Sequence, residues 1–340
     1  MPQLNDTDKL GMISVGEFKR EMRAQNAIFS NPGIEQDITT TTQIMGRVLE
    51  TNYYELNGQK LSDFTPIEAG TGAFQTKLLQ AAATAMGTDF KACLINPTAG
   101  ALKLDGYTDI EVGAQEYTNN FFRDTYSVTK EGSEMASRAR IPFNIVEEKE
   151  KARKKKFDLG LQDAWFLGLG DGTSYGLLNA PAAVTDTSTM GGKNLSEMSD
   201  AEFSAFVATI RAYYDNVTNS TAMFNRLMVP QQEYFKLDKI YGQFGLSRRG
   251  ILEDVLKETD GKIVYTRYNT TAGTGGGARY ALYKHDPDYI EGFLPLPYTP
   301  SPLYPQGAFD LISNAMAQFI TPVVKRSNTL VYLDVVNATT

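Results

Sequence analysis

The residue types that could carry out catalysis come together in one short glycine-rich segment. Gly172, Ser174 and Gly176 form a literal G-x-S-x-G, the pattern of the nucleophile turn of serine hydrolases. His285 would have to act as the base, because the chain contains 1 histidine. That turn needs a strand before the serine and a helix after it, whereas a helical pattern precedes this one and GLLNAP follows it. A serine hydrolase using Ser174 and His285 is therefore a disfavoured alternative, and we predict a protein that is not an enzyme and has no catalytic residues.

Two further segments carry residue types that bind cofactors or metals. Residues 273–278 match the dinucleotide pattern G-x-G-x-x-A, but a strand-like RYALYK follows where the phosphate would need a helix N-terminus. Residues 285–288, His-Asp-Pro-Asp, offer three potential metal ligands, yet the proline makes a turn that points them in different directions. We therefore predict a flexible hairpin tip at the first segment and a solvated turn at the second, with no cofactor and no metal.

Composition restricts the class of protein. A chain of 340 residues exceeds the usual size of one core, which predicts two subdomains. The formal net charge of −7 argues against a sequence-reading nucleic-acid binder. One cysteine, Cys93, excludes a disulfide framework and a cysteine-based zinc site. The N-terminus lacks a signal-peptide pattern and no uncharged apolar run reaches the roughly 18 residues that span a bilayer. We therefore expect a cytoplasmic origin and no membrane partner.

The longest helix is predicted to begin after Asn144, which is placed to cap it. Its acidic residues come first and its cations follow, the order that the helix dipole favours. The cluster KARKKK at 151–156 is either a solvated helix face or a contact surface for acidic neighbours or DNA backbone. Apolar residues recur at helical spacing only from Phe157 onward. The helix is thus predicted to be about 24 residues long, with a polar first half at a surface and an anchored second half.

This helix, the Gly-Asp-Gly break at 170–172 and GLLNAP at 176–181 resemble the major capsid proteins of tailed bacteriophages, which have the Hong Kong 97-type fold. Within that family the chain is most similar to a branch in which TYSVTKEGSEMA, here at 125–136, precedes the long helix. Further segments carry the likeness toward the C-terminus, at 227–237, 249–257 and 328–336.

The resemblance implies an α+β fold with an N-terminal arm, an extended β-hairpin loop, a long spine helix, and peripheral and axial subdomains. The implied stretches are an arm at 1–45, an extended-loop region with part of the peripheral subdomain at 46–135, the spine helix and hinge of the peripheral subdomain at 136–175, a mainly axial subdomain at 176–313, and closing strands that return to the peripheral subdomain at 314–340. From the residues alone, a frayed terminus and a small separate β-rich domain are alternatives for the first two stretches. We expect bending at the hinge glycines Gly168, Gly170 and Gly172.

The implied function is structural: a major capsid protein that self-assembles into hexamers and pentamers of an icosahedral shell around double-stranded phage DNA. Packaged DNA would touch the inner face non-specifically, and the resemblance leaves room for portal, scaffolding and decoration proteins as partners. The implied location is the virion, after assembly in the cytoplasm of a host bacterium. A nanocompartment shell of the same fold, similar to encapsulin, is the alternative.

Local patterns after the hinge predict further elements. Ser199 and Glu202 form a capping box that opens a helix. A strand ends at Pro230 and a short helix follows it. Strands are predicted on either side of the glycine-rich segment at 273–278. Two strands close the chain, and the last, at 329–336, is expected to return to the subdomain of the long helix.

Overall fold

The computed structural model describes residues 56, 58–70, 77–87, 108–129, 131, 145–241, 245–307 and 310–336, with the backbone alone for 77–87, 108–115 and 241. The expectations for the arm at 1–45, for Cys93 and for the Asn144 cap lie outside these residues, as does much of the stretch 46–135.

The described residues alternate between helices and strands, as predicted for an α+β fold. The helices are α1 (Leu61–Phe64), α2 (Ile145–Leu167), α3 (Asp200–Val217), α4 (Gln231–Lys236) and α5 (Arg248–Lys257). The strands are β1 (Ile67–Ala69), β2 (Lys77–Gly87), β3 (Thr108–Thr118), β4 (Asn120–Thr129), β5 (Val184–Asp186), β6 (Arg226–Pro230), β7 (Ile240–Tyr241), β8 (Leu246–Ser247), β9 (Lys262–Thr266), β10 (Arg279–Tyr283), β11 (Ile290–Pro300), β12 (Tyr304–Gln306), β13 (Asp310–Val324) and β14 (Leu330–Asp334).

Two five-stranded sheets and two hairpin-like pairs organise these strands. The first sheet has the order β1-β11-β13-β12, with β4 also paired to β13, and the second has the order β5-β14-β10-β6-β9. Strand β9 is parallel to β6, and β10 is antiparallel to both β6 and β14. Since β9 and β10 lie on opposite sides of β6, the prediction of a hairpin tip at 273–278 is wrong. That segment is instead a crossover connection.

The two closing strands belong to different sheets. Strand β13 lies in the first sheet, where Ala317 and Phe319 pack with Phe157 and Trp165 of α2. Strand β14 pairs with β5 and β10 in the second sheet, and its predicted return to the subdomain of the spine helix stays a prediction. Its alternating side chains, Val331 among them, are buried in the core that α3 covers, and this burial decides the pairing.

By its contacts the chain divides into two compact units. Unit 1 comprises Asp124–Lys156 and Pro300–Ala315 together with Met1–Tyr54, which lies outside the described residues. Unit 2 comprises Glu55–Arg123, Phe157–Thr299 and Met316–Thr340. Because α2, β4, β11 and β13 each contribute residues to both units, the division does not coincide with element boundaries.

Helix α3 covers the larger core of unit 2. It begins as predicted: the Glu202 backbone N–H donates to Ser199 Oγ at 3.3 Å, and the Ser199 N–H donates to Glu202 Oε2 at 2.7 Å. Its apolar face is buried at helical spacing, with Phe203, Ile210 and Tyr214 at most 1 % exposed. Strand β6 and helix α4 meet at Pro230, as the sequence predicts.

The second half of α2 is anchored in a separate core of unit 2. Trp165 is 0 % exposed, and its indole N–H donates to Thr65 Oγ1 at 2.8 Å. Gly292 on β11 faces this indole so closely that an added Cβ would overlap the ring. As predicted, α2 changes from a polar to an apolar half at Phe157, where the buried apolar stripe of the helix begins.

Candidate functional site

The polar half of α2 contains one buried cation, Arg153, which is 4 % exposed. Its guanidinium donates to the Ser313 carbonyl at 2.8 Å and to Ser313 Oγ at 2.9 Å, and it pairs with Glu150. It also lies over the ring of Tyr126 on β4, 4.6 Å from the centroid. This side chain therefore joins α2 to both β4 and β13 inside unit 1.

Sequence reasoning missed this residue, although the helical spacing contained the signal. Arg153 precedes Phe157 and Leu161 by four and eight residues, which puts all three on one face of α2. Phe157 and Leu161 are buried, and the same face stays covered one turn earlier.

Two of the lysines next to Arg153 form ion pairs inside unit 1. Lys151 pairs with Glu148 at 2.9 Å, and Lys156 pairs with Asp124 at 2.9 Å. The hydrogen bond from Lys156 holds the pKa of Asp124 below its usual value, although burial opposes this shift. The cluster thus resembles a solvated helix face more than a free cationic surface, and contact with DNA backbone stays a prediction.

The turn that follows α2 is closed by backbone hydrogen bonds. The Leu177 N–H donates to the Trp165 carbonyl and the Leu178 N–H to the Phe166 carbonyl, both at 2.9 Å. Asn179 adds two side-chain bonds, accepting from the Gly176 N–H and donating to the Leu167 carbonyl, both at 2.6 Å. These bonds satisfy carbonyls that would otherwise be unpaired at the end of the helix.

The glycines of this turn have distinct roles. Gly168, Gly170 and Gly172 have φ values of 74°, 70° and 75°, which only glycine adopts without strain. An added Cβ would meet nothing within 4 Å at Gly170 or Gly172, whereas at Gly176 it would overlap the carbonyl group of Phe166. Gly176 therefore permits close packing, while Gly170 and Gly172 supply backbone conformation.

The structure does not bring the disfavoured hydrolase pair together. Ser174 Oγ donates to Asp171 Oδ2 at 3.0 Å and lies 3.3 Å from Asn120 Nδ2, which donates to it. The ring of His285 instead bonds the Ser62 carbonyl through Nε2 at 2.9 Å, and burial lowers its pKa. Backbone N–H groups of residues 174 and 173 lower the pKa of Asp171 to about 2, so this carboxylate is a fixed acceptor that shapes the turn.

The other two candidate segments also have structural partners. Thr274 donates from both its N–H and its Oγ1 to Asp334 Oδ2 at 2.8 Å, and Arg279 pairs with the same carboxylate at 2.7 Å. Burial raises the pKa of Asp334, but the hydrogen bonds from Arg279 and Thr274 outweigh it and lower that pKa below its usual value. At the second segment, Asp286 Oδ1 accepts from the Asp288 N–H at 3.0 Å, which makes the turn. Within the described ranges no group of three potential metal ligands occurs.

Strands β2 and β3 form a long antiparallel ribbon. Pairing runs from Lys77 opposite Thr118 to Gly87 opposite Thr108, over the 11 residues of each strand. Among the described strands this ribbon forms a sheet of its own. A two-stranded ribbon is marginally stable in water unless something packs on it. This is the region where the resemblance implies an extended loop.

The chain matches the major capsid protein family over residues 101–336, which is more than half of its length. In structure it resembles the capsid of the Myoviridae phage XM1, with a TM-score of 0.70 and 14 % identity, over 86 % of this chain and 96 % of that chain. It also resembles a protein of Microbacterium phage Oxtober96, with a TM-score of 0.55 and 9 % identity, over 88 % and 98 % of the two chains. A virus-like particle from Pyrococcus furiosus gives a TM-score of 0.50 and 12 % identity, over 82 % and 93 %. No curated protein matches the chain in sequence.

These likenesses confirm the predicted Hong Kong 97-type phage capsid fold. At such low identity a structural match establishes the fold alone, and the match to the family establishes membership. No helix among the described residues is both long enough and apolar enough to cross a membrane. Polar side chains at the sequence-predicted sites hold turns in place, and this arrangement suits a structural subunit. The chain belongs to the major capsid protein family and has that family's structural role in a capsid.

Proposed function

We propose that this subunit assembles into hexamers and pentamers of a closed icosahedral shell that encloses the double-stranded DNA of a tailed phage. The observation that carries the proposal is the fold match to the XM1 capsid over 86 % of this chain. Self-association follows from membership in a capsid family. The arm, extended-loop, peripheral and axial stretches then serve as parts of one repeating subunit, whose contacts recur by symmetry around the shell.

A nanocompartment shell is the second candidate, because the virus-like particle from Pyrococcus furiosus has a similar fold with a TM-score of 0.50. The XM1 capsid, at 0.70, favours the phage assignment. The two differ in contents, since a phage shell packages nucleic acid and a nanocompartment packages protein. Particles purified from a producing bacterium distinguish them. We expect nuclease-protected double-stranded DNA, with portal, scaffolding or decoration proteins as the further components.

The purified chain should form large closed particles. A two-stranded ribbon such as β2–β3, which is marginally stable in water unless something packs on it, favours association over a free monomer. Sedimentation velocity should show a fast-sedimenting species and a matching decrease in the amount of free subunit. Negative-stain electron microscopy should show closed shells of uniform diameter. A chain that stays monomeric up to high concentration, alone and together with the other capsid proteins of its phage, would contradict the proposal.

Bending at the glycine turn is proposed as the means by which one sequence fits several positions in a shell. The double variant Gly170→Ala/Gly172→Ala tests it, because both glycines have positive φ and open space around them. Alanine should cost about 1 kcal/mol of strain at each position and narrow the accessible backbone angles. We expect fewer closed shells and more aberrant ones by electron microscopy. Shells of unchanged size and yield would count against the bending hypothesis.

A further inference from the structure

Two consecutive residues of the turn after α2 are held from two sides within unit 2. The N–H groups of Leu177 and Leu178 donate to carbonyls in the last turn of α2. Their own carbonyls face the second sheet. The Leu177 carbonyl accepts from the Tyr332 hydroxyl at 2.7 Å, and the carbonyl of the next residue accepts from the Arg279 guanidinium. These two residues therefore join the end of α2 to strands β14 and β10.

The hydroxyl of Tyr332 serves a second group of the same turn. It accepts from the Ala180 N–H at 3.0 Å, and the tyrosine is only 2 % exposed. Water cannot readily replace a hydroxyl at such a site. Its removal would therefore leave both the Leu177 carbonyl and the Ala180 N–H without their partner.

A buried carboxylate fixes the Arg279 side chain. Asp334 is 0 % exposed and accepts from Arg279 Nε and from a terminal guanidinium nitrogen, both at 2.7 Å. The guanidinium also lies over the Tyr332 ring, 4.2 Å from its centroid. Because a planar guanidinium bound through two nitrogens has a defined orientation, Asp334 aims Arg279 at the turn.

We propose that Tyr332, Arg279 and Asp334 form a clamp that fixes the direction of the C-terminal half of α2 relative to the second sheet. Bending at the hinge glycines then changes only the loop at 168–175, because the residues on either side of that loop are bonded to each other and to the sheet. The three side chains are positioning residues, since they act on assembly through the turn. The inference rests on the proposed assembly and bending, and it specifies which part of the turn stays fixed.

Tyr332→Phe tests the clamp on the unassembled chain, with Tyr214→Phe as the matched control. Tyr214 is also buried, at 0 % exposed, and its hydroxyl donates at 2.6 Å to the Thr329 carbonyl, which lies outside the turn. Both variants should lower the midpoint of urea unfolding, because each loses a buried hydroxyl. Only Tyr332→Phe should also speed hydrogen exchange at the amides of residues 177 and 178, by at least about tenfold relative to the amides of α3. Those two amides keep their own acceptors on α2, so NMR spectroscopy would detect a loosened turn.

Arg279→Lys is the second variant. Lysine keeps a positive charge opposite Asp334, but it lacks the planar fork that holds this carboxylate and the Leu178 carbonyl together. Exchange at the Leu178 amide should therefore become faster in this variant as well, without the loss of any tyrosine hydroxyl.

Shells assembled from the variants test the consequence for assembly. Tyr332→Phe should widen the distribution of shell diameters in negative-stain electron microscopy, whereas Tyr214→Phe shells should stay uniform. Unchanged exchange at the turn in both Tyr332→Phe and Arg279→Lys, or Tyr332→Phe shells as uniform as those of the control, would overturn this inference while leaving the proposed function intact. An unaltered chain that never assembles would overturn the proposed function, and the exchange measurement would still decide whether the clamp exists.

Discussion

Replacing Gly176 with alanine should destabilise the unassembled subunit by about 3–5 kcal/mol. The new Cβ would overlap the carbonyl group of Phe166 and lie 2.5 Å from the Gly168 nitrogen. Both obstacles are backbone atoms, one in the last turn of α2 and one directly after it, and they cannot move aside by changing rotamer. If the segment at 176–178 moved away from the end of α2 to make room, the 2.9 Å hydrogen bonds that Leu177 and Leu178 donate to the helix would break. Urea unfolding followed by circular dichroism measures the loss.

Gly170→Ala is the matched control for this variant. Gly170 lies in the same turn, but an added Cβ there meets nothing within 4 Å, so only the positive φ of 70° opposes the substitution. Its cost should be about 1 kcal/mol. Equal stability losses in the two variants would show that the close approach of Phe166 adds nothing to the cost at position 176, and the steric argument would fail.

Replacing Arg153 with methionine should cost about 3 kcal/mol of subunit stability. The aliphatic part of the side chain is approximately retained, while the bonds to the Ser313 carbonyl and hydroxyl and the pairing with Glu150 are lost. Because the side chain is only 3 % exposed, water cannot easily replace those donors. Backbone amides near Tyr126 should lose the most protection from hydrogen exchange. Mass spectrometry measures this loss of protection along α2 and β4.

The next residue in the chain supplies the control. Lys154 belongs to the same basic cluster but is exposed, so Lys154→Met should change stability by less than about 0.5 kcal/mol. If Arg153→Met proved as mild as Lys154→Met, the buried contacts of Arg153 would contribute little, and α2 would be held in unit 1 by its apolar neighbours alone.

Local patterns predicted the helices well because the information lies within a few turns of chain. Helix α2 spans Ile145–Leu167, close to the predicted length, since its charge order and its apolar stripe are both sequence-local. The Ser199 cap bonds Glu202 as expected, and Pro230 marks the change from strand to helix. The family resemblance also depended on local motifs, and the match over residues 101–336 confirms it.

Strand pairing was harder to predict, because neighbours in a sheet can be far apart in sequence. Residues 273–278 have the composition of a hairpin tip, yet β6, from about fifty residues earlier, separates the strands on either side. The last strand likewise pairs with β5 and β10, because its buried face completes the core under α3. The alternation of side chains along a strand does not specify which other strand it pairs with.

Sequence alone determined the class of this protein and the position of its main helices. Those features depend on residue type and on spacing within one element. Only the tertiary structure decided which strands adjoin, that one of the clustered cations on α2 is buried under β4 and β13, and that Gly176 is required by the approach of Phe166. The physical reason is that burial and close approach depend on segments brought together from distant parts of the chain, and composition does not record which segments meet.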